Sequence, residues 1–242
     1  MKDFFDTYIE NAFGEFKQAE FKFVQFEFNY KRYLPTSKDA QLLDIGIGRG
    51  EMVTCFKRWG YKNYLGIDIS SSCVNFCRSL GLNVLLVDSI VEFLNNKEDI
   101  YDVITMIDVL EHIPKEEVIT ILKTIKKALK KDGILIIQVP NLNSPEGFIH
   151  MFNDFTHFNG FNSHSLAQVL IAAGFSQFNF QPFETLLIYK NNWKEKIKLV
   201  IKKLLRHIYY RKVILERWIT GNLSYSILTP ILSCIIANRE IE

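Results

Sequence analysis

The chain has 242 residues, of which 48% are hydrophobic and 23% charged, with a formal net charge of +2. This length favours one well-buried domain with an embellishment, and the balance of apolar and charged residues excludes wholesale disorder. No apolar run approaches the ~20 residues of a membrane-spanning helix, and the N-terminus carries acids where a secretion signal has an apolar segment. The four cysteines form no CxxC pair, which favours thiols kept reduced in a cytosol.

The first predicted elements are one or two amphipathic helices within residues 1–34, a stretch rich in phenylalanine. From residue 41 onward, short apolar runs alternate with helical patterns. The predicted strands are QLLDIGI, NYLGIDI, NVLLVDS, YDVITMID and GILIIQVPN. The predicted helices between them are GEMVTCFKRWG, SSSCVNFCRSLG and PKEEVITILKTIKKALKKDG, the last ending in lysines. Such alternation predicts a parallel sheet with helices on both faces.

The pattern changes after the fifth predicted strand. SHSLAQVLIAAGF is typical of a serine-capped helix, FSQFNFQPFE of a strand, and PILSCIIANRE of a last strand that pairs with the previous one. A basic and mostly helical insert, residues 185–229, separates these two strands. The predicted organisation is an N-terminal helical cap, residues 1–40, followed by an α/β domain, residues 41–242.

Glycines 46, 48 and 50 directly follow the first predicted strand and open a helix. Gly46, Gly48 and Gly50 allow a ligand to approach the backbone closely at a helix N-terminus. This signal is weak alone, since dinucleotide-binding folds use a related loop. Here Asp44 and Glu51 flank the glycines, and two carboxylates suit a cationic amino-acid ligand better than a pyrophosphate.

Two more acids lie at strand ends. Asp68 ends the second predicted strand, where a carboxylate can accept hydrogen bonds from both hydroxyls of a ribose. Asp88 ends the third, where it either faces an adenine amino group or caps the helix that begins in SIVEFL.

These four segments, LLDIGIGRGE, YLGIDIS, VLLVDS and YDVITMIDVLEHIP, together resemble the motifs of class I S-adenosylmethionine-dependent methyltransferases across residues 40–184. Ile47 departs from the small residue that many members carry there. The resemblance implies a Rossmann-like, doubly wound sheet of seven mostly parallel strands with a C-terminal antiparallel hairpin. It implies S-adenosylmethionine as cofactor, S-adenosylhomocysteine as product, and these cofactor-binding residues: Asp44, Gly46, Gly48, Gly50, Asp68, Ile69, Asp88, Ser89, Asp108 and Val109.

Methyl transfer to a hydroxyl needs a positioned nucleophile and a base that removes its proton. Two groups follow the fourth and fifth strands: Asp108, Glu111 and His112, then Asp154, Thr156 and His157. The D-x-T-H-x-x-x-F pattern, ending at Phe161, resembles a subgroup of bacterial methyltransferases encoded with surface-polysaccharide biosynthesis. In that interpretation Asp154 orients the imidazole of His157, which acts as the base, and Asp108 and His112 are further catalytic candidates. His164 is assigned to a helix cap instead.

A metal is the alternative use of these residues. Asp108, Glu111 and His112 would share one face of a helical turn, and with His157 they could ligate a divalent ion. A comparable group binds metal in some relatives, including ubiquinone-pathway O-methyltransferases and small-RNA 2′-O-methyltransferases. Glu-His at this place is also widespread in methyltransferases that need no metal, so the sequence favours proton transfer with no metal.

The insert concentrates positive charge. Between residues 190 and 217 ten basic residues stand against two acidic ones, around an apolar helical face. Three interpretations stay open: a lid over the substrate, a dimer contact, and a peripheral anchor to anionic lipid. A nucleic-acid partner is not expected, because no recognition module or stripe of stacking aromatics is visible.

The predicted function is methylation of an oxygen on a sugar, sugar phosphate or glycan precursor by a cytoplasmic enzyme, at most peripheral to the inner face of the membrane. Two alternatives remain: a small aromatic or quinone acceptor, and a non-catalytic, cofactor-binding partner protein.

Overall fold

The computed structural model describes residues 17–184, 193–219, 229 and 231–237. Its seven strands form one sheet in the order β3-β2-β1-β4-β5-β7-β6. The strands are β1 Gln41–Ile45, β2 Asn63–Asp68, β3 Val84–Leu86, β4 Tyr101–Ile107, β5 Leu129–Pro140, β6 Gln177–Pro182 and β7 Ile231–Ala237. The strands β1 to β5 pair in parallel, and β7 is antiparallel to both β5 and β6. This confirms the predicted fold.

The described part of the chain contains eight α-helices: α1 Glu20–Tyr30, α2 Glu51–Arg58, α3 Ser71–Ser79, α4 Ile90–Leu94, α5 Lys115–Ala128, α6 Pro145–Phe152, α7 Ser163–Ala172 and α8 Trp193–Ile219. Short 3₁₀ turns occupy Lys31–Tyr33 and Leu110–His112. Buried residues of α1 and α2 pack in one core cluster, and those of α4, α5 and α7 pack in another. The helices therefore cover both faces of the sheet, as a parallel sheet requires.

The strand order reverses between β1 and β4. In an open α/β sheet, ligands bind at such a switch point, outside the carboxyl ends of the strands. The glycine loop, the segment after β4 and the segment after β5 all begin at this edge.

The structure differs from the prediction at the end of α5. The helix stops at Ala128, and the lysine-rich residues 129–133 begin β5 instead of extending the helix. Leu129 is fully buried and pairs with Tyr101, and the register then shifts before β5 continues. Lys130 forms an ion pair with Asp102 at 2.7 Å. Burial of Leu129 in the sheet thus overrides the helical pattern of the lysine run.

Two of the predicted segments are described only in part. The N-terminal helices predicted within residues 1–34 are described from residue 17, where α1 begins at Glu20. The helix of the basic insert is α8, while residues 185–192 and 220–228 lie outside the described residues.

Candidate active site

The glycine loop adopts backbone conformations that only glycine accepts readily. Gly46, Gly48 and Gly50 have φ values of +74°, +49° and +74°, all in the left-handed region. A Cβ on Gly46 would lie 2.4 Å from Val109, so the loop packs against the segment after β4. Nothing lies within 4 Å of the corresponding position at Gly48. The loop therefore presents open backbone in front of the first turn of α2.

Asp68 is held by the glycine loop. Its Oδ2 accepts a hydrogen bond from the Gly48 amide at 3.0 Å, and its Oδ1 accepts one from the Ser70 amide at 2.9 Å. Two backbone donors on one carboxylate set its orientation. The carboxylate that is predicted to bind the ribose is therefore fixed relative to the glycine loop.

Asp88, the acidic residue that follows β3, is more exposed to solvent than Asp68. Asp88 is exposed, and the helix that follows is capped by Ser89, whose side chain accepts a hydrogen bond from the Glu92 amide. The N-cap position of this helix is therefore occupied by Ser89 and not by Asp88. Ile69 is half-buried and packs against the main core cluster.

Asp44 is a carboxyl group within the sheet. It is 2% exposed, and Thr105 donates a hydrogen bond to its Oδ1 at 2.6 Å. Burial raises the pKa of Asp44 to about 8, and the negative charges of Asp68 and Glu51 act in the same direction. A cation bound beside Asp44 would favour its ionised form, so this position suits a positively charged ligand.

Asp108 follows β4 with a φ of +55°, which is unusual for a residue with a side chain. Gln138 of β5 donates a hydrogen bond to its Oδ1 at 2.8 Å. The hydroxyl of Tyr30 donates to Oε1 of Gln138 at 2.5 Å and lies 2.9 Å from the Ser233 hydroxyl. Helix α1, β5 and β7 thus jointly orient the Asp108 carboxylate.

His112 is hydrogen-bonded to the segment that follows β5. Its Nδ1 lies 2.7 Å from Oγ1 of Thr156, and that hydroxyl donates to Oδ1 of Asp154 at 2.6 Å. A hydroxyl has one proton, so Thr156 accepts from His112, which places the proton of the neutral ring on Nδ1. Burial lowers the pKa of His112 to about 4, and the charge of a protonated His157 would act in the same direction. At neutral pH the ring is therefore uncharged.

His157 is also held through Nδ1. This atom lies 2.9 Å from the carbonyl oxygen of Met151, which can only accept, so the proton is on Nδ1 and Nε2 is bare. The two imidazoles meet edge to face, with the His112 and His157 centroids 4.5 Å apart. The predicted orienter, Asp154, instead fixes Thr156, and its Oδ2 is 3.9 Å from Nε2 of His157. The Met151 carbonyl thus holds Nδ1 of His157, while Asp154 lies within ion-pair distance of the opposite ring nitrogen.

Glu111 lies beside both rings. Its side chain is buried, and neither carboxylate oxygen has a hydrogen-bond partner among the residues that the structure describes. Burial, with the nearby Asp108 charge, raises the pKa of Glu111 well above its usual value. Among the described residues, ligand-type atoms of Glu111, His112 and His157 lie within 4.8 Å of one another, a group without Asp108. The trio is chemically compatible with a divalent ion and equally with a neutral carboxylic acid beside two imidazoles.

These groups open into one cleft of about 770 Å³. Of the predicted cofactor residues, Asp44, Gly46, Gly48 and Asp108 line it; Gly50, Asp68, Ile69, Asp88, Ser89 and Val109 are not among its lining residues. All four predicted catalytic residues line it: Asp108, His112, Asp154 and His157. Asp44, Asp108 and the two histidines therefore face one cleft.

A family model described as a methyltransferase domain matches residues 19–177. The chain belongs to this family. The assignment confirms the predicted class of enzyme, an S-adenosylmethionine-dependent methyltransferase, and with it the predicted cofactor. No curated protein matches the sequence.

Solved methyltransferases share the fold over most of the chain. An S-adenosylmethionine-dependent methyltransferase of Archaeoglobus fulgidus is 22% identical, with coverage of 95% of this chain and 97% of its own, at a TM-score of 0.65. A Haloferax volcanii methyltransferase in complex with the Trm112 activator is 16% identical. The match covers 100% of this chain and 98% of the other, at a TM-score of 0.66. A Burkholderia thailandensis 1,6-didemethyltoxoflavin-N1-methyltransferase with bound S-adenosylhomocysteine is 17% identical. The match covers 98% of this chain and 86% of the other, at a TM-score of 0.58.

The site of this methyltransferase fits the cofactor by its own geometry. The open backbone at Gly48 faces the cleft, and the buried Asp44 suits the cationic amino-acid part of the cofactor. The oriented carboxylate of Asp68 suits the hydroxyls of a ribose.

Three contacts of this methyltransferase were missed by sequence reasoning. The links from Gln138 to Asp108, from Thr156 to His112 and from Met151 to His157 join separate segments or use a backbone carbonyl. Only Gln138 carries a sequence signal: it is an amide within the apolar strand GILIIQVP, and a buried polar group requires a partner.

Proposed function

We propose that this methyltransferase acts on a hydroxyl of a sugar, sugar phosphate or glycan precursor, with His157 as the general base. One observation carries the proposal: Nδ1 of His157 is occupied by the Met151 carbonyl, so the basic Nε2 is the atom left to take a proton. This imidazole lines the same cleft as the glycine loop. The polysaccharide assignment rests in addition on the resemblance of the D-x-T-H pattern.

The cofactor supplies an electrophilic methyl group, so the protein has to position the acceptor oxygen and remove its proton. In this proposal the acidic residues Asp44 and Asp68, together with the glycine loop, hold the cofactor. Ile69, Asp88 and Ser89 flank its adenosine part, and Asp108 and Val109 lie near the reacting end. The fixed orientation of Asp68 and Asp108 supports this division of roles.

The acceptor proton moves to Nε2 of His157. The Asp154 carboxylate, 3.9 Å from that atom, stabilises the positive charge that then develops on the ring. His112 stays neutral because of its low pKa, so it adds no repelling charge beside the imidazolium. Glu111, a neutral carboxylic acid in this account, offers an O–H donor to the acceptor oxygen.

Helix α1 supports a role for residues 1–40 as a cap over the cofactor. Gln18 donates to the Arg49 carbonyl and to the Thr54 hydroxyl, and the Ala19 amide contacts Glu51. These contacts place the start of the described chain directly on the glycine loop and α2. The cysteines at 55, 73, 77 and 234 are buried thiols that form no disulfide within the described residues, which supports a reducing cytoplasm as the compartment.

The acceptor class is tested with labelled S-adenosylmethionine and a panel of hexose phosphates, nucleotide sugars, catechols and primary amines. Label transferred to oxygen of a sugar supports the proposal. Transfer to catechols or quinols alone supports the aromatic alternative, and transfer to amines contradicts O-methylation. Cofactor binding without transfer to any glycan fraction supports the non-catalytic alternative.

A further inference from the structure

Helix α8 turns an apolar face outward. Five residues lie at helical spacing on one side and are each 50–58% exposed: Ile197, Ile201, Leu204, Ile208 and Leu215.

The side of α8 that meets the domain is the opposite one. Val213, which is 9% exposed, lies nine residues or two and a half turns from Leu204 and therefore faces away from it. Tyr209 is also half-buried. Its pKa is raised mainly by burial and, to a smaller extent, by the negative charge of Glu146 in α6. Val213 thus marks the buried side of α8, and the apolar side that contains Leu204 lies in solvent.

Exposed aromatic and aliphatic side chains continue onto α6 and the segment after it. Phe148, Ile149, Phe152 and Phe155 are 50%, 59%, 78% and 97% exposed. Phe155 also lines the cleft. The apolar surface of α6 therefore borders the mouth of the active site.

The charge of residues 190–217 distinguishes between two partners for this surface, a second copy of the chain and a lipid bilayer. The sequence places ten basic and two acidic residues between positions 190 and 217. A two-fold contact between copies of this chain through α8 would bring two such segments together, and like charges oppose that association. An anionic lipid surface instead attracts the basic residues while the apolar side chains enter the headgroup region. Among the described residues no helix is long and apolar enough to cross a bilayer.

We propose that the outward face of α8, together with the exposed side chains of α6 and Phe155, docks the enzyme on an anionic lipid bilayer with the cleft mouth beside the membrane surface. This arrangement gives the active site access to acceptors at that surface. The proposal does not depend on which acceptor class is methylated.

The test is co-flotation of the full chain with vesicles of pure phosphatidylcholine and with vesicles containing about one-third phosphatidylglycerol. We expect at least ~10-fold stronger binding to the anionic vesicles, weakened by salt. The double variant Leu204→Ser/Ile208→Ser should lose ~10-fold or more of this binding. The matched control is Ile171→Ser on α7, which removes a side chain that is 62% exposed.

Equal flotation of Leu204→Ser/Ile208→Ser and the wild-type chain would overturn the proposal. So would an absence of lipid binding together with a dimer that the same variant dissociates, because the face would then bind a second copy. Cofactor affinity and thermal unfolding are measured for each variant. Both substitutions are at exposed positions, so we expect no change in either measurement.

Discussion

The Thr156 hydroxyl lies 2.7 Å from Nδ1 of His112 and donates its own proton to Asp154, so three side chains from two loops form one directed chain. This chain fixes the tautomer of His112, whose ring centroid lies 4.5 Å from that of His157. The D-x-T-H pattern therefore positions both histidines: one through the threonine hydroxyl, the other through the turn that brings His157 to the Met151 carbonyl.

Replacing Thr156 by valine removes the acceptor for a buried N–H. We expect a loss of ~1–3 kcal/mol of stability and a still lower pKa for His112, because the Thr156 hydroxyl accepts a stronger hydrogen bond from the charged imidazole than from the neutral one. The His112 pKa is measured by NMR titration and the stability by urea unfolding. Thr156→Ser should restore both values, and Thr124→Val, which removes an exposed hydroxyl of α5, should change neither. An unchanged His112 titration in Thr156→Val would contradict the assigned hydrogen bond.

Replacing Asp68 by alanine removes the carboxylate that the glycine loop orients. We expect the Kd for S-adenosylmethionine and S-adenosylhomocysteine to rise ~10- to 100-fold, as for the loss of a charged hydrogen-bonding group. Calorimetric titration measures this affinity. Asp39→Ala is the control, because Asp39 is exposed and pairs with Lys62 on the surface. Wild-type affinity in Asp68→Ala would reject the proposed ribose contact.

The stability of the cofactor-free protein should fall as pH rises from about 4 to about 8. Over this window folded Asp44 keeps its proton, whereas in the unfolded chain its carboxyl has an ordinary pKa of 3.8 and has lost the proton. One such group gives a slope of up to ~1.4 kcal/mol per pH unit. Glu111 acts in the same direction, so Asp44→Asn should reduce the slope without abolishing it. Urea unfolding at a series of pH values measures this, and a slope unaffected by Asp44→Asn would contradict the buried neutral carboxyl.

Chelation should leave methyl transfer unchanged. The electrophile comes from the cofactor, so proton removal by His157 suffices without a Lewis acid. The measurement is turnover before and after chelator treatment, with metal analysis of the purified enzyme. Activity that disappears on chelation and returns with a divalent ion would assign Glu111, His112 and His157 as metal ligands instead.

Much of the cofactor edge could be predicted because it depends on local pattern. Asp44, the glycines and Asp68 follow from strand ends and backbone freedom, and parallel strands bring their carboxyl ends to one edge. The end of α5 could not be predicted, because lysines after Ala128 suit a helix terminus and only the pairing of Leu129 with Tyr101 shows that the strand has begun.

The acceptor side depends on contacts that no local pattern contains. His112 and Thr156 are 44 residues apart, and their contact requires the segments after β4 and β5 to meet. Nothing in the sequence distinguished Met151 as the residue whose carbonyl holds His157. The outward direction of the apolar face of α8 also depends on tertiary packing, because the helical pattern alone is equally compatible with a buried face.

The most direct test of the account is the methyl-transfer rate of His157→Asn, measured beside its affinity for S-adenosylmethionine. The account predicts cofactor binding within about twofold of wild type and a rate that falls ~10²- to 10⁴-fold, the usual contribution of a general base. His164→Asn is the matched control, since His164 lies in the first turn of α7 and bonds to Gln168. A His157→Asn enzyme that turns over at the wild-type rate would contradict the assignment of His157 as the base.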